Sequence, residues 1–432
     1  MKAYLGTIMN PVDHSGFEYI RNGVLLVDDD GVIAAKGPRD DVPLPENTKV
    51  YDFSDRLILP GFVDVHCHIA QIRAVNVRYA ELLAWLNNVV FPLEAGYGRK
   101  QALAEAPGFF SHLMAGGTTC AGMYVTVSEE ATDAVFEVAD RIGYRAVIGK
   151  VMMDRHSPDS LIEDTGESLD KSERLCAKWH GKRNGRLRYA FTPRFALTCS
   201  MELMKKTADL ARKYNAHAMT HVSENRGEIA RAAELFPDAR SYLGVYEEAG
   251  LLFRGAVYGH CIYFSERDWE VMAGSGAGVA HCPTSNLLLE SGILDLSQPF
   301  ARNIPVGLGS DIGAGSEPML PEVAESSISC QIARKVLGHE HAVVSPQSAF
   351  YMMTKGGAAC MGLEDSIGDL EPGKQADFIV VDPRPSLPLQ QWDPDGDDPT
   401  AILYSLLLRF RIRAVREVYI AGRKVHSAEK NS

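Results

Sequence analysis

Long apolar runs are missing from this 432-residue sequence. No stretch reaches the roughly 18 uninterrupted apolar residues that a membrane-spanning helix needs, and residues 1–10 carry no secretory pattern. Positive charge is scarce as well: 44 Lys and Arg stand against 56 Asp and Glu, for a net charge of -12. Nucleic-acid surfaces need clustered Lys and Arg, so neither a membrane nor a nucleic acid is an expected partner. The acidic surplus is spread along the chain, which favours solubility. Paired cysteines are absent too, since none of the eight sits in a Cys-x-x-Cys pair. In so long a chain they read as reduced thiols in a reducing compartment, which points to the cytoplasm.

What is present is an ordinary globular composition, 46% hydrophobic and 23% charged, arranged in two styles. Residues 1–57 read as short strands and turns. An apolar run at 24–27, the turn signal Asp28-Asp29-Asp30-Gly31 and a second run at 32–35 predict a hairpin. Beyond Pro60-Gly61, short apolar runs alternate with helical patterns such as 201–214 and 266–273. Candidate strands fall at 62–69, 118–125, 145–152, 187–195, 216–222, 256–261, 278–281 and 304–311. Eight strand–helix units in succession predict an α/β fold, a closed (β/α)8 barrel of the TIM type. From Ile367 the short-strand style returns, at 376–382, 415–421 and 424–426, around a Pro- and Asp-rich surface loop at 384–399. The expected organisation is a barrel over 58–366 beside a small β-sandwich domain built from both chain ends, 1–57 and 367–432.

The strongest local signal is His66-Cys67-His68, at the end of the first barrel strand. Residues two apart on a strand share a face, so two imidazoles converge on one point at the barrel mouth. Neutral imidazole is the commonest ligand of a divalent metal. His221 ends the fifth apolar run, His260 the sixth and Asp311 the eighth. In this architecture the C-terminal strand ends build the active site. Five such groups, at four strand ends, are hard to read as separate structural residues. Glu224, three residues past His221, is placed to carry protons between a metal-activated water and a leaving group. Its bland alternative is an acid at a helix start.

Longer motifs surround these residues. Leu59-Pro60-Gly61-Phe62-Val63-Asp64-Val65-His66-Cys67-His68 resembles the opening of the amidohydrolase superfamily. Gln71, Leu83-Ala84-Trp85-Leu86 with Phe91-Pro92, and Thr192-Pro193-Arg194-Phe195 narrow the resemblance. So do His221-Val222-Ser223-Glu224-Asn225, His281-Cys282-Pro283-Thr284-Ser285-Asn286 and Gly307-Leu308-Gly309-Ser310-Asp311. Together they resemble the guanine deaminase family along nearly the whole chain.

The resemblance implies one zinc ion per chain, with Fe2+ as the alternative ion, held by His66, His68, His221 and Asp311. It implies that Asp311 also takes a proton from water, that Glu224 passes protons to the ring and the leaving amine, and that His260 steadies water or substrate. His281 is expected to support Asp311. Two-metal relatives carry a carboxylated lysine at the end of strand four. Here the segment 187–195 holds no Lys, and Lys150 closes strand three instead, so one metal is expected. Gln71 and Arg194 are expected on the edge of an oxopurine, because a carboxamide donates and accepts while a guanidinium only donates. Trp85, Leu86 and Phe195 would wall the flat ring. The implied reaction is hydrolytic deamination of a small-molecule purine, guanine and water to xanthine and ammonia, by a homodimer.

Three departures bear on the substrate. His156 in Asp154-Arg155-His156, the filling Leu86-Asn87-Asn88-Val89-Val90, and Cys261 after His260 all differ from what relatives commonly carry. The same chemistry on another heterocycle, such as 8-oxoguanine, cytosine or an aminotriazine, is therefore the nearest alternative. Opening of a cyclic amide is disfavoured by the missing strand-four Lys. A catalytically silent scaffold would be expected to lose ligands, and the whole set is present.

Overall fold

A computed structural model describes residues 1–75, 77, 81–393 and 395–428. Parts of the expected barrel segment (76 and 78–80), of the 384–399 loop (394) and of the C-terminal segment (429–432) lie outside the described residues.

The N-terminal strands are β1 (Lys2–Asp13), β2 (Gly16–Val27), β3 (Ile33–Pro38) and β4 (Lys49–Pro60). β2 and β3 form the expected hairpin, with Leu26 opposite Ala35. The Asp28 carboxylate closes the turn by accepting from the Val32 N–H at 2.8 Å.

The barrel strands follow in order. They are β5 (Phe62–His68), β6 (Thr118–Tyr124), β7 (Arg145–Gly149), β8 (Val151–Met152), β9 (Leu187–Pro193), β10 (His217–Val222), β11 (Ala256–His260), β12 (Gly278–His281) and β13 (Val306–Leu308). Hydrogen-bonded neighbours run β5-β6-β7-β9-β10-β11-β12-β13, all parallel. β8 prolongs the third strand past Lys150 and pairs with β9. The eight positions are the eight expected segments. They read as apolar runs rather than alternations because a parallel sheet under helices is buried on both faces. The ring closes between β13 and β5 partly through side chains. The Asp64 carboxylate accepts from the Ser310 N–H at 3.0 Å and its hydroxyl at 2.5 Å, and the Asp311 N–H donates to the His66 carbonyl at 2.8 Å.

The covering helices have local causes. Met201–Tyr214 starts at Ser200, whose hydroxyl accepts from the Leu203 N–H, and stops at Asn215 in the left-handed region (φ 49°). Its buried Leu203, Met204, Thr207, Ala208 and Ala211 recur at helical spacing. The apolar stretch near the C-terminus is a helix, Pro399–Leu408, whose Ile402, Leu403, Leu406 and Leu407 are buried. No helix among the described residues is long and apolar enough to cross a membrane.

The last strands are β14 (Phe378–Val381), β15 (Val415–Ile420) and β16 (Arg423–Ser427). They join β1–β4 in one seven-stranded mixed sheet, ordered β16-β15-β14-β4-β1-β2-β3. The two chain ends thus meet where β14 pairs with β4. Alternate residues serve two cores, as the two-residue repeat of a strand requires. Phe378, Val380 and Ile58 pack with Tyr4, Ile8 and Tyr419, while Ile379, Val381, Leu57 and Leu59 join the barrel core. The sheet is a separate sandwich-like domain docked on the barrel. A buried ion pair crosses the joint: the Arg145 guanidinium of β7 donates to Asp377 just before β14 at 2.6 and 3.0 Å.

Candidate metal centre and substrate pocket

The C-terminal ends of β5, β10, β11 and β13 place their polar residues around one point. His66 and His68 Nε2 lie 3.1 Å apart, and His221 Nε2 is 3.2 Å from His68 Nε2. Asp311 Oδ1 lies 3.5 Å from His66 Nε2 and 3.3 Å from His68 Nε2. A Cβ at residue 259 would lie 2.9 Å from His66 Cε1, so glycine before His260 leaves that ring its room. Ser223 (φ 52°), His260 (φ 73°), Cys261 (φ 53°) and Asp311 (φ 47°) all adopt left-handed backbone where strands end at the site. Such conformations cost roughly 1–3 kcal/mol each and cluster at functional sites.

These groups fit a divalent metal ion. The His221 Nδ1–H donates to the Arg194 carbonyl at 2.8 Å, which leaves the Nε2 lone pair facing the cluster. Three imidazole nitrogens within 4.8 Å of one another, with the Asp311 carboxylate within 3.5 Å of two of them, are a poor hydrogen-bond network and a good donor set. Burial pushes the His66 imidazole down to about 4, and burial and the surrounding rings push His221 well below its usual range, so both rings are neutral. Burial opposes charge on Asp311, yet hydrogen bonds from His66 and His68 hold its carboxyl well below the usual carboxylate range. His66, His68 and His221 form one set able to hold an ion, and His66, His260 and Asp311 form another.

Glu224 and His260 face each other beside this cluster, with Oε2 and Nε2 3.4 Å apart. Burial, and then the Asp311 and Glu228 carboxylates, raise the Glu224 carboxyl well above its usual range. Glu228 also grips its backbone, accepting from the Glu224 N–H at 2.8 Å. His260 Nδ1 bonds Asn286 Oδ1 at 2.8 Å. A cavity opens here. Gln71, Trp85, Leu86, Arg194 and Phe195 line it together with His68, His221, Glu224, His260 and Asp311. Each expected site residue therefore lines this cavity except His66, which is fully buried with its Nε2 3.1 Å from His68 Nε2.

A family model described as the amidohydrolase family matches residues 57–424. The chain belongs to the amidohydrolase family. This amidohydrolase is 38% identical to a guanine deaminase of Escherichia coli (strain K12) over 429 residues, covering 97% of this chain and 95% of that one. Its fold is similar to the crystal structure of guanine deaminase from Bradyrhizobium japonicum, with TM-score 0.93 and 30% identity, covering 99% of both chains. A guanine deaminase from C. acetobutylicum, solved with bound guanine in the active site, matches with TM-score 0.90 and 30% identity. That match covers 98% of this chain and 100% of the other.

Several features of this amidohydrolase were not legible in its sequence. Glu94, in the helix Phe91–Ala95, lies between Gln71 and Arg194 and bonds both. Its local pattern is that of any helix acid, and proximity to Phe91-Pro92 is the only hint. The Tyr246 hydroxyl braces the pocket wall, donating to the His221 carbonyl and accepting from the Ala196 N–H, both at 2.8 Å. His281 corrects an expectation: its Nε2 lies 3.1 Å from the Ser327 hydroxyl in the helix Leu320–Val336 instead of turning to Asp311. Its strand contributes through the backbone, where the His281 carbonyl accepts from the Gly309 N–H. Lys150 stands outside the site, in a buried pair with Glu163.

The three departures lie away from the pocket lining, apart from Leu86. Asn87 and Asn88 donate to the Leu83 and Ala84 carbonyls, each at 2.8 Å, along a widened π turn, Leu86–Val90.

Proposed function

We infer that this amidohydrolase hydrolyses guanine to xanthine and ammonia. The observation that carries the reading is the coincidence of two donor sets in one cavity. A buried set suited to a divalent metal lies beside Gln71 and Arg194, whose amide and guanidinium suit the edge of an oxopurine. The relatives named as guanine deaminases, one with bound guanine, support it.

In this proposal one Zn2+, or alternatively Fe2+, is held by His66, His68, His221 and Asp311. Such an ion supplies Lewis acidity, making water a nucleophile near neutral pH. The chain's own groups do the rest. Asp311 accepts a proton from the attacking water. Glu224, neutral in its buried setting, gives its proton to the ring. The proton taken up by Asp311 then passes through Glu224 to the leaving amine, and the proton of the added hydroxyl restores Glu224 as the carbonyl forms. His260, held through Asn286, orients the attack on C2. Trp85, Leu86 and Phe195 exclude water from the faces of the ring. The missing lysine on β9 supports a single ion.

We also propose the division 1–57, 58–366 and 367–432, a cytoplasmic location and a homodimer. The buried free thiols support the location.

Ammonia release from guanine, 8-oxoguanine, cytosine and an aminotriazine tests the substrate directly. Guanine is expected to give the highest kcat/KM. Preference for another ring would overturn the substrate and leave the metal chemistry standing. No turnover of any ring by metal-loaded protein would favour the silent scaffold.

A further inference from the structure

The two side chains assigned to the purine edge are not independent. Gln71 Nε2 donates to Glu94 Oε1 at 2.8 Å. The Arg194 guanidinium, through one terminal nitrogen, donates to Oε1 at 2.7 Å and Oε2 at 2.6 Å. All three side chains are buried, and they come from two short helices and the segment just after β9. Glu94 is itself anchored, because its carbonyl accepts from the Thr126 hydroxyl at 3.0 Å. The Phe91 ring lies 5.3 Å from the Arg194 guanidinium, on the same short helix as Glu94.

We propose that Glu94 is the positioning residue that sets the hydrogen-bond polarity of the substrate edge, and that by neutralising Arg194 it selects uncharged oxopurines over anionic ones. This rests on the guanine deaminase reading above. A carboxylate only accepts hydrogen bonds. It therefore forces Gln71 to turn its NH2 toward Glu94 and leaves the amide carbonyl as the group free to accept. The same carboxylate occupies one nitrogen of Arg194, so the guanidinium meets a ligand with its remaining N–H groups. Its positive charge is met inside the protein. An uncompensated guanidinium in a buried pocket would favour anions. A compensated one contributes directed donors, which suit a neutral carbonyl or ring nitrogen.

Glu94→Gln tests both halves with almost no change of shape. The new amide can donate as well as accept, so the orientation of Gln71 is released, and Arg194 loses its counter-charge. The KM for guanine is expected to rise at least about tenfold, with a smaller fall in kcat and unchanged metal content. Inhibition by xanthine is expected to tighten relative to guanine as the pH is raised above neutral, because xanthine ionises more readily than guanine. A merely structural role would weaken both ligands alike and lower kcat with metal content, and that result would overturn the proposal. Glu94→Asp keeps the charge and shortens the reach, so it guards against misfolding of the first variant. It is expected to raise KM while keeping the wild-type ratio of xanthine to guanine binding. A wild-type KM in Glu94→Asp would overturn the positioning role. A wild-type enzyme inert toward guanine would overturn the functional reading and this inference together, whereas an active wild type with parallel losses in Glu94→Gln would overturn this inference alone.

Discussion

Glu224 is a carboxyl group surrounded by protein, 3.4 Å from His260 and near the negative charge of Asp311. Those surroundings keep it neutral where an exposed Glu would be ionised, which suits a group that gives a proton to a leaving amine. Glu224→Gln preserves shape and removes the transferable proton. Turnover is expected to fall by about 10²–10⁴, with metal content and thermal stability near wild type. Steady-state kinetics together with elemental analysis check this. Near-normal turnover would reduce Glu224 to an acid at a helix start. At this scale the cluster of His66, His68, His221 and Asp311 with Glu224 beside it was readable, because each stands directly at or after the end of an apolar strand. Glu94 was not readable, because its role depends on Gln71 and Arg194, which are respectively 23 and 100 residues away.

At the scale of elements, strand ends and the turns after them shape the pocket. Gly313, in the turn after β13, has φ 119°, and a Cβ there would lie 2.5 Å from Gln71 Cβ and 2.7 Å from its Oε1. Glycine lets this turn close over the amide. Gly313→Ala is expected to displace Gln71 and lower guanine kcat/KM at least about tenfold, the scale of one lost buried hydrogen bond. The metal is expected to stay, which elemental analysis of the same sample checks. Unchanged kcat/KM would mean that the turn yields freely. The strands themselves were legible as eight apolar runs. The break at Lys150 was not: the run continues through it, and only the Lys150–Glu163 pair explains the buried charge.

The whole molecule is a barrel locked to a sheet made by both chain ends. Arg145 and Asp377 are both buried at that joint. Removing one partner leaves an uncompensated charge, so Arg145→Ala is expected to cost about 3–5 kcal/mol. Denaturant unfolding measures this, and the kcat of the folded protein is expected to change little, since the joint is remote from the pocket lining. Metal removal acts on the other end of the barrel. A chelator is expected to abolish turnover, and one equivalent of Zn2+ per chain is expected to restore it. Full activity in metal-free protein, or a need for two ions, would overturn the single-ion site.

The barrel, the return of the chain to a second small sheet and the gathering of His66, His68, His221 and Asp311 at strand ends were determined by the sequence alone. Their signals are local: apolar runs of strand length, turn residues between them, and polar groups at the ends of the runs. Tertiary structure alone decided how Gln71, Arg194 and His281 are held. The orientation of the Gln71 amide, the neutralised charge of Arg194 and the turn of His281 toward Ser327 each depend on a partner from a distant element. A side chain that can donate or accept, or be charged or compensated, has its choice made by whatever folding brings beside it, and no local pattern records that neighbour.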